Sequence, residues 1–444
     1  MARVVDHEVK ARFPDGAVLR AELLRRGDGP GQLTVRVFIP PTEDLASWAD
    51  THREQMEGLR RELSLRLPSA KLLEFTTDAA DAPVISMADD GSLAAEQLSG
   101  REIAVKALAL LRENYVFPEL AEQAASAVET RLAAGEYDNL DEITLTELLT
   151  SHLQAATGDK HLRVRLGGAP GARPEPGRGP GVPDRDGADR DDADRDDADR
   201  DSGEPADREA RRLRMRRIGR LDNFGIQRVE RLDGNIGYLD LRRVPAPENA
   251  GPAITAAMEL VGGTYALIID LRHNGGGSPH GVAFWCSYLL AEEPTHLNDI
   301  FHADTAETRQ FWSYPYLPGN RYLDRPVFVL TSSRTFSGGE DFAYTLQALR
   351  RAEVVGEATG GGAHPTRPFP ISAAVHIGIP FARSVNPVTG TNWQGTGVVP
   401  DTAVAADQAY DLAYARALRH VLELRDVPPP VADEARDTLA TLTG

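Results

Sequence analysis

The sequence predicts an α/β fold: a core of parallel βα units, preceded by a small helical bundle and an amino-terminal β-rich module. Three patterns carry that expectation. From residue 224 to about 422, short apolar runs alternate with helix-period stretches, and apolar strands covered on both faces and separated by helices mark a parallel sheet. Between 99 and 165, three segments repeat their apolar residues at the helical period with short connections, as in a small bundle. Before residue 41, apolar and polar residues alternate at the strand period. A chain of 444 residues also exceeds what one hydrophobic core usually organises, so several units are expected.

The first unit spans 1–90. Its turns are Arg12-Phe-Pro-Asp-Gly16 and Arg26-Gly-Asp-Gly-Pro-Gly31, flanking strands such as Leu33-Thr-Val-Arg-Val-Phe38, and a helix follows over 42–67, ended by Pro68. The bundle, 99–166, has Ile103, Ala107, Leu110 and Leu111 on one stripe, then helices over 120–133 and 145–156. Residues 167–210 lose periodicity, first in a Pro/Gly/Arg tract and then in a five-residue repeat beginning Ala188-Asp-Arg-Asp-Asp192. Without apolar side chains such a stretch cannot offset its ordering entropy, and it reads as a disordered acidic linker. The Arg-rich run at 208–220 reads as a solvated helix beside that linker in preference to an anionic docking site. The core, 211–425, carries strands at 237–241, 265–270 and 327–330 and helices at 250–261, 281–290 and 338–350; a tail, 426–444, closes the chain.

The formal net charge of −18 argues against nucleic acid or an anionic membrane as partner, since both need clustered Lys and Arg. Residues 184–209 alone hold thirteen acids against five arginines. The single cysteine, Cys286, lies in an apolar run and reads as a buried hydrophobe. No apolar leader and no stretch near twenty apolar residues occurs, so a cytoplasmic location is expected.

The strongest chemical signal is Thr331-Ser-Ser-Arg-Thr-Phe-Ser337-Gly-Gly-Glu340, which follows an apolar strand and opens a helix. A hydroxyl there stands at the carboxyl end of a strand, where α/β sheets expose reactive groups. Ser337 with Glu340 also fits a capping box, but capping does not call for Gly338-Gly339, which opens the helix-start amides to a substrate. The turn Asp270-Leu-Arg-His-Asn-Gly-Gly-Gly277 could supply further oxyanion donors; it lacks the lysine of a phosphate loop. No lysine follows Ser337, which disfavours a Ser–Lys dyad from this half and turns attention to His161, His273 and His364. Their spacing matches no zinc pattern, so neither metal nor cofactor is expected.

The segments Asn235-Ile-Gly-Tyr-Leu239, Asp270 to Gly277, Thr335-Phe-Ser337, Val355 to Pro365 and Asn392-Trp-Gln-Gly-Thr-Gly-Val-Val-Pro-Asp401, with Glu113 to Pro118 and Asp159-Lys-His161, resemble the tail-specific (carboxyl-terminal processing) serine peptidases. The branch is that of interphotoreceptor retinoid-binding protein and the tricorn core. The resemblance covers about 99–422 without the linker, and it implies a crotonase/ClpP-like core. It further implies Ser337 as nucleophile, His161 as base, an oxyanion hole from Gly338, Gly275 and Gly276, a polypeptide substrate and a possible homo-oligomer. Where relatives place a catalytic lysine this chain has Gly360-Gly-Gly-Ala363, and where they usually carry a glutamate it has Gln394. Gln394 could orient the histidine without charging it, with Glu340 or Glu357 supplying a carboxylate. Gln394 also motivates a different reading, a binding module for apolar or peptide ligands on the same fold. Acyl-CoA chemistry would rest on fold analogy alone. Specificity is expected from loops such as 301–318, whose aromatics suit a cleft or plain packing.

Overall fold

The computed structural model describes residues 98–166, 216–372 and 374–443, with Met56 and Leu213, and the backbone of six strands between 3 and 95. These strands, β1 (Arg3–Arg12), β2 (Val18–Arg25), β3 (Leu33–Phe38), β4 (Ala70–Thr76), β5 (Ile85–Ala88) and β6 (Leu93–Ala95), form one sheet in chain order. All neighbours are antiparallel except β3 and β4. The first three strands fall where the turn signals put them; the last three were not foreseen. A parallel pair needs a crossover connection, and the helix expected over 42–67 falls in that interval. It lies outside the described residues apart from Met56, which is helical and buried. The expected linker over 167–210 also lies outside them.

The bundle consists of α1 (Gly100–Asn114), α2 (Pro118–Ala133) and α3 (Glu142–Thr157). Ser99 and Glu102 form a capping box on α1, Pro118 opens α2, and Asp141 caps α3. Gly158, left-handed at φ 69°, ends α3 and turns the chain into β7 (Arg163–Leu166). The bundle buries Leu108, Leu111, Val128, Leu149 and Leu153 against Val375, Ile377 and Ile379 of a distant hairpin. Of the Arg-rich run, the described part is helical and exposes Leu213 and Ile218 to solvent.

The core sheet is built from β8 (Ile226–Leu232), β9 (Ile236–Leu241), β10 (Ala266–Asp270), β13 (Val327–Thr331), β14 (Glu353–Gly356) and β18 (Thr402–Ala403), ordered β18-β14-β13-β10-β9-β8. Every pair is parallel except the β8 edge. Strand side chains alternate between two cores. Leu239, Leu267, Ile269, Val327 and Val329 face α4 (Pro247–Val261), α5 (Pro279–Leu289) and α6 (Gly338–Ala348). Tyr238, Ile268, Phe328 and Leu330 face α7 (Ala406–Glu423) and α8 (Pro429–Thr443). The expected doubly covered parallel sheet is therefore present, and the segment 426–444, expected as a tail, is instead mostly helix, with Ala435 buried against α7. Cys286 is fully buried in α5, where burial pushes its thiol up.

Two smaller sheets complete the fold. β11 (His296–His302) lies between β12 (Glu307–Trp312) and β17 (Ala382–Val385), and β16 (Val375–Pro380) lies between β15 (Thr366–Pro370) and β7. The antiparallel register Arg163↔Gly378 to Leu166↔Val375 stitches the bundle to the core. It also carries the residues just before β7 to the carboxyl end of the core sheet.

Candidate active site

Ser337 is the residue between the β13 loop and α6, and its backbone is strained, at φ 50° and ψ −121°. Side-chain-bearing residues avoid that region, and where it persists the surroundings over-determine it. They do so here. Thr335 Oγ1 donates to Leu271 O (2.7 Å) and Phe336 N–H to Asn274 O (3.0 Å). Ser337 N–H donates to Glu340 Oε2 at 2.8 Å. On the other side stands Gly276, at φ 112°; a Cβ there would lie 2.8 Å from the Ser337 Cβ. A side chain at Gly339 would likewise come within 2.6 Å of Asn274 Oδ1. The glycines around Ser337 are thus a matter of close approach.

The glycine turn that begins at Asp270 is a brace. Buried Asp270 accepts from Tyr238 Oη (2.7 Å) and Arg272, while Asn274 Nδ2 donates to Leu241 O (2.8 Å). This requires a correction to the expected oxyanion donors. Gly275 N–H is bonded to Arg242 O (3.0 Å) and Gly276 N–H to Asn274 Oδ1 (2.9 Å). The turn's own Asn side chain and the β9 end take these amides, so neither points at a substrate. Gly338 opens α6 beside Gly277, whose N lies 2.8 Å from where a Gly338 Cβ would be.

Glu340 is fully buried and accepts four bonds: Ser337 N–H, Gly362 N–H (2.9 Å), Gly361 N–H (2.6 Å) and Thr359 Oγ1 (2.5 Å). Burial pushes its carboxyl up to about 7, against the opposing pull of these donors. Its oxygens are therefore engaged with the 359–362 loop, and Glu340 holds the nucleophile's backbone rather than a histidine. Glu357 is no substitute either, since it accepts from Ser333 N–H (3.3 Å) and Ala406 N–H (3.1 Å). Gln394 Oε1 accepts from Ala363 N–H (2.8 Å), while Trp393 Nε1 donates to Gly362 O (2.6 Å) and Gly395 N–H to Gly361 O (2.9 Å). The Asn392-Trp-Gln-Gly395 motif is thus a clamp on the glycine loop.

His161 is buried, and its ring stacks obliquely on Phe336, the neighbour of Ser337, with centroids 4.6 Å apart. A Cβ on Gly362 would fall 2.6 Å from His161 Cε1, so the glycine loop makes room for this ring. Lys160 Nζ, donating to Gly360 O (2.5 Å), ties the two segments across 200 positions of sequence. His273 is exposed against Arg334, at 3.2 Å. His364 is not a simple loop residue: its Nδ1 bonds Asp159 Oδ2 at 2.6 Å, and Tyr115 Oη donates to the same oxygen at 3.1 Å. The sequence marks Asp159-Lys-His161 but carries no local sign of this Asp159 cluster, whose partners Tyr115 and His364 lie far apart in the chain.

Above Ser337 opens a cleft, partly open to solvent, lined by Gly277, Gly338, Ile300, Phe311, Phe381 and Trp393 among others. Ile300, Phe311, Phe381 and Ala382 form a buried apolar cluster. Of the aromatics expected in 301–318, Phe311 thus lines the cleft, Tyr314 packs on Phe284 and Tyr316 is exposed. Buried Asp341, also at the cleft, has its carboxyl pushed up to about 6 by burial, with Asn298 and Thr345 donating to it. Among the described residues no cluster of three or more metal-ligating side chains occurs, and no helix is long and apolar enough to cross a membrane.

A family model described as peptidase family S41 matches residues 235–404, and one described as the N-terminal domain of peptidase S41 in eukaryotic IRBP matches residues 99–190. The chain is 29% identical over 175 residues to the chloroplastic carboxyl-terminal-processing peptidase 2 of Arabidopsis thaliana, covering 37% of this chain and 31% of the relative. A solved structure of a candidate peptidase from Parabacteroides merdae is similar at TM-score 0.47 and 17% identity, covering 72% of this chain and 98% of that one. The photosystem II D1 C-terminal processing protease is similar at TM-score 0.38 and 14% identity, covering 70% and 94%.

Proposed function

Because the chain belongs to peptidase family S41, we propose that it is a serine peptidase cleaving polypeptides through an acyl-enzyme at Ser337, with His161 as base. The observation that carries this reading is the strained Ser337 at the start of α6, with the His161 ring against its neighbour Phe336. In the first step Ser337 Oγ attacks the scissile carbonyl carbon and passes its proton to His161. The oxyanion so formed faces the Gly338 and Gly277 amides, which do this work in place of Gly275 and Gly276. Collapse breaks the C–N bond, and His161 returns the proton to the leaving amine. Water then attacks the ester, His161 taking its proton, and the acid product leaves with Ser337 regenerated. The crotonase-like assignment of the core belongs to the same proposal.

The test is labelling of wild type and Ser337→Ala with a fluorophosphonate probe, read by intact mass. One adduct on wild type and none on the variant is the expected result. Labelling that persists in Ser337→Ala removes the assignment. A second reading is favoured by Gln394 and by the apolar cleft: a binding module for apolar or peptide ligands on this fold. Under it, a folded wild-type protein binds peptide without turnover and takes no adduct.

A further inference from the structure

We propose that Asp159 is the positioning carboxylate of this site, setting the orientation and basicity of His161; the proposal rests on the Ser337 and His161 reading above. The candidates expected from sequence are engaged elsewhere: Glu340 by the glycine loop and Ser337, Glu357 by Ser333 and Ala406, and Gln394 by Ala363. Asp159 faces the histidine. It accepts His161 N–H on Oδ1 at 3.0 Å, and the same oxygen lies 4.0 Å from His161 Nδ1. The other oxygen, Oδ2, is held by His364 Nδ1 at 2.6 Å and by Tyr115 Oη at 3.1 Å. One oxygen is thus anchored by the bundle and the glycine loop, while the other is turned to the base.

The groups facing this carboxylate make it an acceptor. Tyr115 comes from the end of α1, His364 from the loop before β15, and His161 from the turn after α3; neighbouring Lys160 reaches Gly360 O. Burial works to raise the Asp159 carboxyl, but the bond from His364 and the charges of His364 and His161 bring it below the usual range. It therefore stays ionised at neutral pH. A fixed negative charge 4.0 Å from the ring favours the imidazolium that forms when His161 accepts the Ser337 proton. Tyr115 gives the arrangement rigidity, since its phenol, pushed up by burial and by Asp159, remains a donor throughout.

The experiment uses the full chain and follows the rate of fluorophosphonate labelling from pH 5 to 9 in wild type, Asp159→Asn and His364→Asn. Asparagine at 159 keeps the shape and an acceptor for His161 N–H but removes the charge. The expected result is a tenfold to hundredfold lower maximal rate, with the pH midpoint moved down by about one unit as the imidazolium loses its counter-charge. A merely structural Asp159 would lower thermal stability and leave the midpoint alone; an unchanged midpoint and rate overturn the proposal. His364→Asn retains a donor to Oδ2 and leaves the Asp159 charge in place, so it should lower the rate less than Asp159→Asn does. Abolition there with retention in Asp159→Asn would make His364 the base and also overturn it. If Asp159→Asn fails to melt cooperatively, Tyr115→Phe serves instead. That variant strips one donor from the carboxylate and must move the midpoint up, so no movement counts against the proposal. A wild type that never labels fails at the serine itself, a result distinct from any of these.

Discussion

The strained backbone at Ser337 makes a measurable prediction about stability. Ser337→Ala and Ser337→Gly remove the same hydroxyl and the same contacts of Oγ, so their difference isolates the conformation at φ 50°, ψ −121°. An L-residue held in such a region costs about 1–3 kcal/mol, which glycine does not incur. Against this, glycine loses about 0.5–1 kcal/mol more than alanine through the entropy of the unfolded chain. The balance leaves Ser337→Gly more stable than Ser337→Ala by about 0–2.5 kcal/mol, centred near about 1 kcal/mol. For a core of this size that is up to roughly 10 °C, and about 2–4 °C at the centre of the range, in the melting temperature of the core transition. Differential scanning calorimetry of the two variants, in one buffer and with neither able to react, reads it directly. A lower melting temperature for glycine than for alanine would show that the helix start imposes no such strain on the nucleophile.

Three further outcomes follow from the same geometry. Gly276→Ala places a Cβ 2.8 Å from the Ser337 Cβ and should cut labelling at least about a hundredfold, as displaced catalytic groups do, while melting stays cooperative; labelling at the wild-type rate would refute the close approach. Glu340 and Asp341 are pushed up to about 7 and about 6, so their protonated forms stabilise the fold and that contribution is lost as pH rises from about 4 to 7. Glu340→Gln and Asp341→Asn lack this loss, and their melting temperature relative to wild type should climb across that range. The histidines lowered by burial, His152, His273 and His302, act oppositely but equally in all three proteins, and a pH-independent difference would contradict the carboxyl assignment. Phe311→Ala opens the apolar lining of the cleft and should lower kcat/KM for peptides with a large apolar residue at the scissile bond by about ten- to a hundredfold. Peptides with alanine there should change little, and an equal loss on both would make Phe311 a packing residue only.

The central sheet was legible because its strands are buried on both faces, so runs such as Ala266–Asp270 and Val327–Thr331 read as continuous apolar stretches. The three bundle helices were legible from their apolar stripes. The β11 and β12 hairpin was not. Glu307–Gln310 are exposed on the outer strand of a three-stranded sheet, which removes the two-residue alternation a half-buried strand would show. In the site, Ser337 and Gly338 stood out because a strand, a hydroxyl, two glycines and a helix start are contiguous. Their local signal said nothing of where amides are committed: Gly275 and Gly276 are engaged by Arg242 O and by a side chain, Asn274. The pairing of His364 with Asp159 bridges 205 positions and depends on the register of β7 against β16, which no local pattern encodes.

That register matters because nucleophile and base are connected through one segment. Ser337 N–H is bonded to Glu340, Glu340 to the amides of Gly361 and Gly362, and those residues to Trp393 and Gly395 through their carbonyls. Ala363 is held by Gln394, His364 by Asp159, and Asp159 accepts from His161. The chain of bonds from 359 to 364 thus fixes the spacing of two groups that come from different halves of the sequence. The buried glycines at 360 and 362 leave space for Phe336 and His161, with would-be Cβ contacts of 2.5–2.6 Å. Enlarging one of them would push on the nucleophile loop and the base together. A connected polar network of this kind is stiff, and a stiff network loses more than the sum of its parts when one member is removed. Substitutions in the Asn392 to Gly395 clamp should therefore be read as changes in the distance between Ser337 and His161, even though the side chain of Gln394 itself is engaged by the Ala363 amide.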